Sequence, residues 1–234
     1  MKLLMPLLLA FVFVITSVHA QSPLEKYAGA ESLTPEQFAD VVKAAWDELK
    51  KAADEYDAQL KSKNEFESTQ EFQARMARER DAYWGKIVKF NTEQKLSEHT
   101  FPVLMNVQLR TYNADRRTYS LKSTSSIIVP PSGERVSVTL PSNAFTFIRE
   151  SKRKGYRYAH IVMNTEPEFI WHVEPDVARA AKSAESNIHF KVWFKLDITQ
   201  PIVNTTARLS IVPVKIALIN SGSNTVYWTE NISR

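Results

Sequence analysis

The spacing of apolar residues changes near residue 100, and this change constrains the fold more than any other feature of the sequence. Between residues 30 and 90, apolar side chains recur every three or four positions, which is the period of an amphipathic helix. Beyond residue 100 they alternate with polar side chains, which is the period of a half-buried strand. We therefore expect an α+β fold: an N-terminal antiparallel helical hairpin (residues 21–99), then a mostly antiparallel β-rich domain (residues 100–234) with two short helices.

The first helix has a defined start and one apolar face. Thr34 and Gln37 form a capping-box pattern, and Pro35 occupies the first helical position, where an N–H would have no intrahelical partner. The apolar residues that follow share one side of a helix: Phe38, Val41, Val42, Ala45, Leu49, Ala52, Tyr56 and Leu60.

The stretch NEFESTQEFQAR, residues 64–75, is predicted to begin a second helix, with an added partner contact as the alternative interpretation. Ser68 and Glu71 repeat the capping-box pattern, and Phe66 lies where we expect it to pack back on Phe72. The short connection between the helices favours an antiparallel hairpin. The same stretch resembles the EFExTxEFxxR segment of exported bacterial proteins of unknown function. The resemblance implies an envelope or periplasmic setting and carries over no catalytic residue.

Residues 1–20 have the pattern of a secretory signal peptide. Lys2 precedes an apolar segment at residues 3–15, and small residues near Ala20 predict cleavage after that position. The chain contains no cysteine, which excludes disulfides, a thiol nucleophile and cysteine metal sites. We therefore expect an exported protein, periplasmic or secreted, with no transmembrane segment in the mature chain.

The alternating region predicts strands at residues 103–109, 118–121, 126–129, 136–140, 156–163, 188–198, 207–219 and 225–229. Pro213 implies a sheet edge or a bulge, and an edge there leaves pairing with a second copy of the chain open. Short helices are predicted at residues 142–154 and 175–186. Trp193 lies opposite the apolar row of its strand, and we favour its burial beneath the helical arm over an exposed anchoring role.

The sequence contains no recognisable catalytic motif. Its five glycines are too dispersed for a phosphate-binding loop or a dinucleotide fingerprint. We expect no cofactor, no metal and no catalytic residue. The competing hypothesis is a hydrolase that acts on an envelope polymer through Glu168 or Glu174 with His172, because residues 172 and 174 would share one face of a strand.

The balance of basic and acidic residues changes at the same boundary as the spacing of apolar residues. Residues 21–99 carry 12 Lys and Arg against 16 Asp and Glu, whereas residues 100–234 carry 17 against 10. The densest basic segment supplies the candidate binding residues, which we call the cationic cluster: Arg149, Lys152, Arg153, Lys154, Tyr156 and Arg157.

This composition predicts a non-enzymatic binding or assembly module that recognises an envelope protein, an anionic polymer or a lipid surface. Export disfavours nucleic acid as the anionic partner, and self-association stays open. The alternative is that the basic residues end a helix and remain in water, where they suit the negative pole of the helix dipole.

Overall fold

A computed structural model describes residues 21–130, 136–139, 146–153, 156–163, 169–199 and 207–232. The helices in these ranges are α1 (Pro23–Lys26), α2 (Pro35–Gln59), α3 (Thr69–Gln94) and α4 (Pro175–Ser183), and a 3₁₀ turn covers Glu185–Asn187. The strands are β1 (Phe101–Asn113), β2 (Thr118–Ser123), β3 (Ser126–Val129), β4 (Val136–Thr139), β5 (Thr146–Arg153), β6 (Tyr156–Met163), β7 (Phe169–His172), β8 (Ile188–Thr199), β9 (Ala207–Asn220) and β10 (Thr225–Asn231). The fold class is α+β, as predicted.

The strands form two sheets. The larger sheet has the order β10-β9-β8-β1-β2-β7, and β4 pairs in parallel with β9 beside it. The smaller sheet has the order β3-β6-β5. The other pairings between strands in the described ranges are antiparallel, so the larger sheet is mixed. None of the helices in these ranges is both long enough and apolar enough to cross a membrane.

The start of α2 is tied to the large sheet. The predicted capping box forms, with Thr34 Oγ1 accepting from the Gln37 N–H at 3.2 Å and Gln37 Oε1 accepting from the Thr34 N–H at 2.9 Å. The residue before it, Leu33, donates its N–H to the Pro102 carbonyl at 2.7 Å and accepts from the Leu104 N–H at 2.9 Å. Helix α2 therefore leaves the first strand of the sheet in a fixed direction.

One face of α2 covers the large sheet. The Phe38 ring stacks on that of Phe194 in β8, with 5.0 Å between centroids, and also meets that of Phe101 in β1 at 6.0 Å. Burying a phenylalanine side chain contributes roughly 1.5–3 kcal/mol to folding. The rest of the buried face follows the predicted helical spacing: Val41, Val42, Ala45, Leu49, Ala53 and Tyr56. Helix and sheet thus share one hydrophobic core.

Helix α3 contacts α2 and has only a short buried face. Ser68 and Glu71 form the second predicted capping box. The Tyr83 ring stacks on that of Tyr56 at 5.1 Å between centroids, and the buried residues of α3 are Tyr83, Trp84 and Ile87. The expected packing of Phe66 on Phe72 is wrong, because the side chain of Phe66 points into solvent. The Arg75 guanidinium lies over the Phe72 ring instead, 5.2 Å from its centroid.

The helix predicted at residues 142–154 is also wrong in its described part. Residues 146–153 form β5, which pairs with β6 from Thr146↔Met163 to Arg153↔Tyr156. Residues 142–145 and 154 lie outside the described residues. The segment opens with Thr-Phe-Ile, residue types that favour strands, and pairing with β6 outweighs a weak helical pattern. The second predicted short helix is present as α4.

The large sheet curls until its two end strands meet. Phe169 of β7 contacts Trp228 of β10 with 4.7 Å between ring centroids, and Trp171 contacts Tyr227 at 5.0 Å. The register of β10 skips Tyr227, which marks a β-bulge. A bulge bends a strand and re-aims its side chains, so two consecutive aromatic residues can both reach β7.

Pro213 lies at a bulge rather than at a free edge. The register between β8 and β9 skips Val214, next to Pro213. On its other side, β9 changes neighbour between residue 210, which pairs with β4, and Lys215, which pairs with β10. A proline is tolerated here because it falls where the ladder is interrupted. Strand β9 is therefore internal at the residues whose neighbours are described, and Pro213 lies at the bulge that the sequence allowed as the alternative to an edge.

Candidate functional site

The outward face of β8 carries a row of polar and cationic side chains. Phe190, Val192 and Phe194 are buried on the inner face, and the alternate residues His189, Lys191, Trp193 and Lys195 are partly exposed on the other. Helix α2 packs on the Phe194 side. The expectation that the helical arm buries Trp193 is therefore wrong: alternation along the strand places Trp193 on the face that α2 does not cover.

Trp193 lies between two lysine side chains on this outer face. The Lys191 Nζ is 5.2 Å from the centroid of the Trp193 ring, and the Lys215 Nζ is 4.8 Å from it. Lys191 precedes Trp193 by two residues on β8, and Lys215 is its direct partner on β9. Both distances suit a cation–π interaction. We call these three residues the outer-face cluster.

The charge of the outer-face cluster is not neutralised within the described part of the chain. No ion pair found there joins a carboxylate to Lys191 or Lys215. The Trp193 ring attracts both ammonium groups through its negative π face, and it leaves their full charge in place. The cluster therefore offers two positioned cations beside an aromatic surface.

His189 adds a neutral group to the same face. It pairs with Asn106 on β1 and with Ile219 on β9. Burial lowers the pKa of His189 below its ordinary value of 6.5, since the protonated ring is harder to desolvate. Its Nδ1 is buried and has no hydrogen-bond partner among the described residues. The imidazole is thus held uncharged at neutral pH beside a cationic surface.

The structure brings most of the cationic cluster into one β-hairpin. Arg149, Lys152 and Arg153 lie on β5, while Tyr156 and Arg157 begin β6. The register pairs Lys152 with Arg157 and Arg153 with Tyr156. The sixth residue, Lys154, lies outside the described residues.

The two described residues of the hydrolase hypothesis, His172 and Glu174, are both exposed. His172 is exposed at the end of β7, where it pairs with Thr118. Glu174 is exposed and accepts two hydrogen bonds from the Arg117 guanidinium, at 2.9 and 2.8 Å. Glu168 lies outside the described residues. The described residues contain no group of three His, Asp or Glu side chains that would hold a metal ion.

Comparison of the chain with protein-family models, with curated proteins and with solved structures gives no significant match. The sequence pattern Lys-x-Trp-x-Lys on β8 signals the outer-face cluster in part. Lys215 cannot be found in this way, because its position opposite Trp193 depends on the register of β9 and on the bulge at Val214.

Proposed function

We propose that this protein is an exported, non-enzymatic binding or assembly module that recognises an anionic polymer of the cell envelope. The periplasm or the extracellular space is its proposed site of action. The observation that carries the proposal is the pair of ammonium groups beside Trp193, which form no ion pair within the described part of the chain and lie on the sheet face that α2 does not cover. In this proposal α2 and α3 form an antiparallel hairpin that braces the opposite face, which leaves the cationic face free for a partner.

The chemistry of the outer-face cluster suits repeated phosphate or carboxylate groups. Each lysine contributes little alone, because exposed charges are screened by salt over about 8–10 Å. A polymer presents many such groups, so that contacts made at Lys191, Lys215 and the cationic cluster would act together. The Trp193 ring adds a flat apolar surface next to the charges, against which a sugar ring can stack.

Binding to a soluble anionic polysaccharide such as polygalacturonate tests the proposal. We expect Lys191→Gln with Lys215→Gln to weaken binding about tenfold at low salt, a loss of about 1.4 kcal/mol. Binding by the unchanged protein should also fall steeply as salt rises. Lys51→Gln with Lys89→Gln on the exposed sides of α2 and α3 removes the same net charge and is the matched control. Equal loss in both double variants would show that only net charge matters.

Two further experiments distinguish between the possible anionic partners. Vesicles of phosphatidylglycerol, compared with vesicles of phosphatidylcholine, test a lipid surface in place of a polymer. The triple variant Lys152→Gln, Arg153→Gln and Lys154→Gln tests whether the cationic cluster contributes to the same binding event. Unchanged polymer affinity in that variant would remove the cationic cluster from the proposed surface while leaving the outer-face cluster in place.

A further inference from the structure

The loop between α2 and α3, residues 60–68, holds one aromatic side chain out in solvent. Phe66 is 87% exposed, the largest exposed fraction among the large apolar residues of the described chain. An exposed phenylalanine gains nothing from burial in the monomer, and neither α2 nor α3 needs it for its cap. Its side chain is therefore available for contact with a partner.

The loop that carries Phe66 is firmly built. The Phe66 N–H donates to Asn64 Oδ1 at 3.1 Å, and the Asn64 N–H donates to Glu67 Oε2 at 3.3 Å. Arg75 closes the loop from α3 by donating to both carboxylate oxygens of Glu67, at 3.0 and 3.1 Å. The same guanidinium donates to the Lys61 carbonyl at 3.3 Å. A side chain displayed on a pre-ordered loop loses little conformational entropy when it binds.

An apolar groove lies between α2 and β3. It has a volume of about 370 Å³ and is lined on the apolar side by Ala39, Trp46, Ile128, Val129 and Pro130. Ile128 is 54% exposed there, so the groove presents apolar surface to solvent. A phenylalanine side chain fits this space, and aromatic anchors seated in such pockets dominate many protein interfaces.

The charges around the loop and the groove are complementary. Asp40 and Asp47 lie at the groove, where Asp47 is paired with Lys43. The loop carries Lys61 and Lys63 before Phe66, beside the carboxylates of Glu65 and Glu67. Arg75 neutralises Glu67, so the loop presents two cations against the carboxylate of Glu65. An incoming loop would therefore bring cations to a rim that includes the carboxylate of Asp40. Opposite charges at the rim of an interface favour one orientation of docking over others.

The loop cannot reach the groove of its own chain. Both lie along α2, with the groove near Asp47 and the loop beyond Gln59. About 18 Å of helix separates these residues, at 1.5 Å per residue, which is more than the side chain of Phe66 can span. Any insertion of Phe66 into this groove must therefore take place between two molecules.

We propose that Phe66 of one copy inserts into the α2–β3 groove of a second copy. The contact joins two different surfaces, so each bound copy keeps one free loop or one free groove. Repetition of the same contact yields a closed ring or an open chain of molecules. This inference does not depend on the proposed polymer binding, because neither Phe66 nor the groove includes a residue of the outer-face cluster.

Sedimentation of the purified protein over a range of concentrations tests the contact. We expect the unchanged protein to form assemblies larger than a monomer as concentration rises. Phe66→Ser and Ile128→Asp should each weaken assembly at least tenfold, equivalent to about 1.4 kcal/mol. An equimolar mixture of the two variants should form dimers and stop there, since each variant supplies the surface that the other lacks. Val88→Ser, at an exposed position on α3, is the control and should assemble normally.

Circular dichroism establishes that each variant is folded, and Ala39→Glu provides a second groove variant if Ile128→Asp is not. A protein that stays monomeric at every concentration would overturn the proposal and leave Phe66 to a different partner. Assembly that persists in Phe66→Ser, or a variant mixture that remains monomeric, would equally show that the loop and the groove do not meet.

Discussion

Glu185 accepts a hydrogen bond from the backbone N–H of Leu109 at 2.9 Å, at the point where β1 loses its neighbour β8. The pairing of β1 with β8 ends at Asn106↔His189, because β8 begins only at Ile188. Lys182 of α4 completes the arrangement by donating to the Leu109 carbonyl at 3.1 Å and to Glu185 at 2.6 Å. Two side chains thus replace the hydrogen bonds that a longer β8 would have supplied.

Replacing Glu185 should destabilise the fold more than replacing an ordinary surface acid. We expect Glu185→Ala to lower the free energy of unfolding by about 1–3 kcal/mol, because it leaves the Leu109 N–H without a partner. Urea denaturation measures this change. Glu174→Ala breaks an exposed ion pair with Arg117 and is the control, since such pairs contribute little. Equal effects of the two substitutions would contradict the capping role of Glu185.

Stability should also depend on the protonation of His189. Because burial lowers the pKa of His189 in the folded state, the unfolded chain binds the proton more readily. The free energy of unfolding should therefore fall as pH drops below the unfolded value of about 6.5. Urea titrations between about pH 5 and about pH 8 measure this dependence. The free energy of unfolding should change less with pH in His189→Gln than in the unchanged protein.

The neighbouring substitution Asn106→Ala gives the control for His189, because it alters the packing beside the ring and keeps the titrating group. The pH dependence of its unfolding free energy should match that of the unchanged protein. If the unfolding free energy of His189→Gln falls with pH as steeply as that of the unchanged protein, the His189 imidazole is not the group that destabilises the fold at low pH.

Truncating Phe38 should show that α2 belongs to the core of the sheet. Phe38 has no exposed surface and contacts the rings of Phe101 and Phe194. We expect Phe38→Ala to cost about 3–5 kcal/mol of unfolding free energy, which combines lost burial with a cavity. Phe66→Ala is the same chemical change at an exposed site and should cost less than about 0.5 kcal/mol. A small loss for Phe38→Ala would indicate that α2 is only loosely attached.

Local sequence signals predicted the features that depend on neighbouring residues. Thr34 with Gln37 and Ser68 with Glu71 begin α2 and α3 where the capping patterns placed them. The strict alternation of residues 188–198 also identified β8, because each buried residue there is followed by a more exposed one. These features need only a few adjacent side chains to specify them.

Predictions that required knowledge of distant partners were less successful. The segment from Thr146 to Arg153 looked helical in isolation, and its pairing with β6 makes it a strand. Phe66 was expected to pack on Phe72, and Arg75 takes that position. The outer-face cluster was recognised only as a single tryptophan, since Lys215 reaches Trp193 through the register between β8 and β9.

The sequence by itself determined where α2, α3 and β8 lie and which face of each is apolar, because caps and periodicity act over a few residues. Only the tertiary structure decided which sheet face α2 covers, how far the sheet curls, and which cations surround Trp193. Those outcomes depend on strand order, bulges and packing between segments far apart in the chain. The free energy of such contacts depends on both segments that meet, so neither segment alone predicts it.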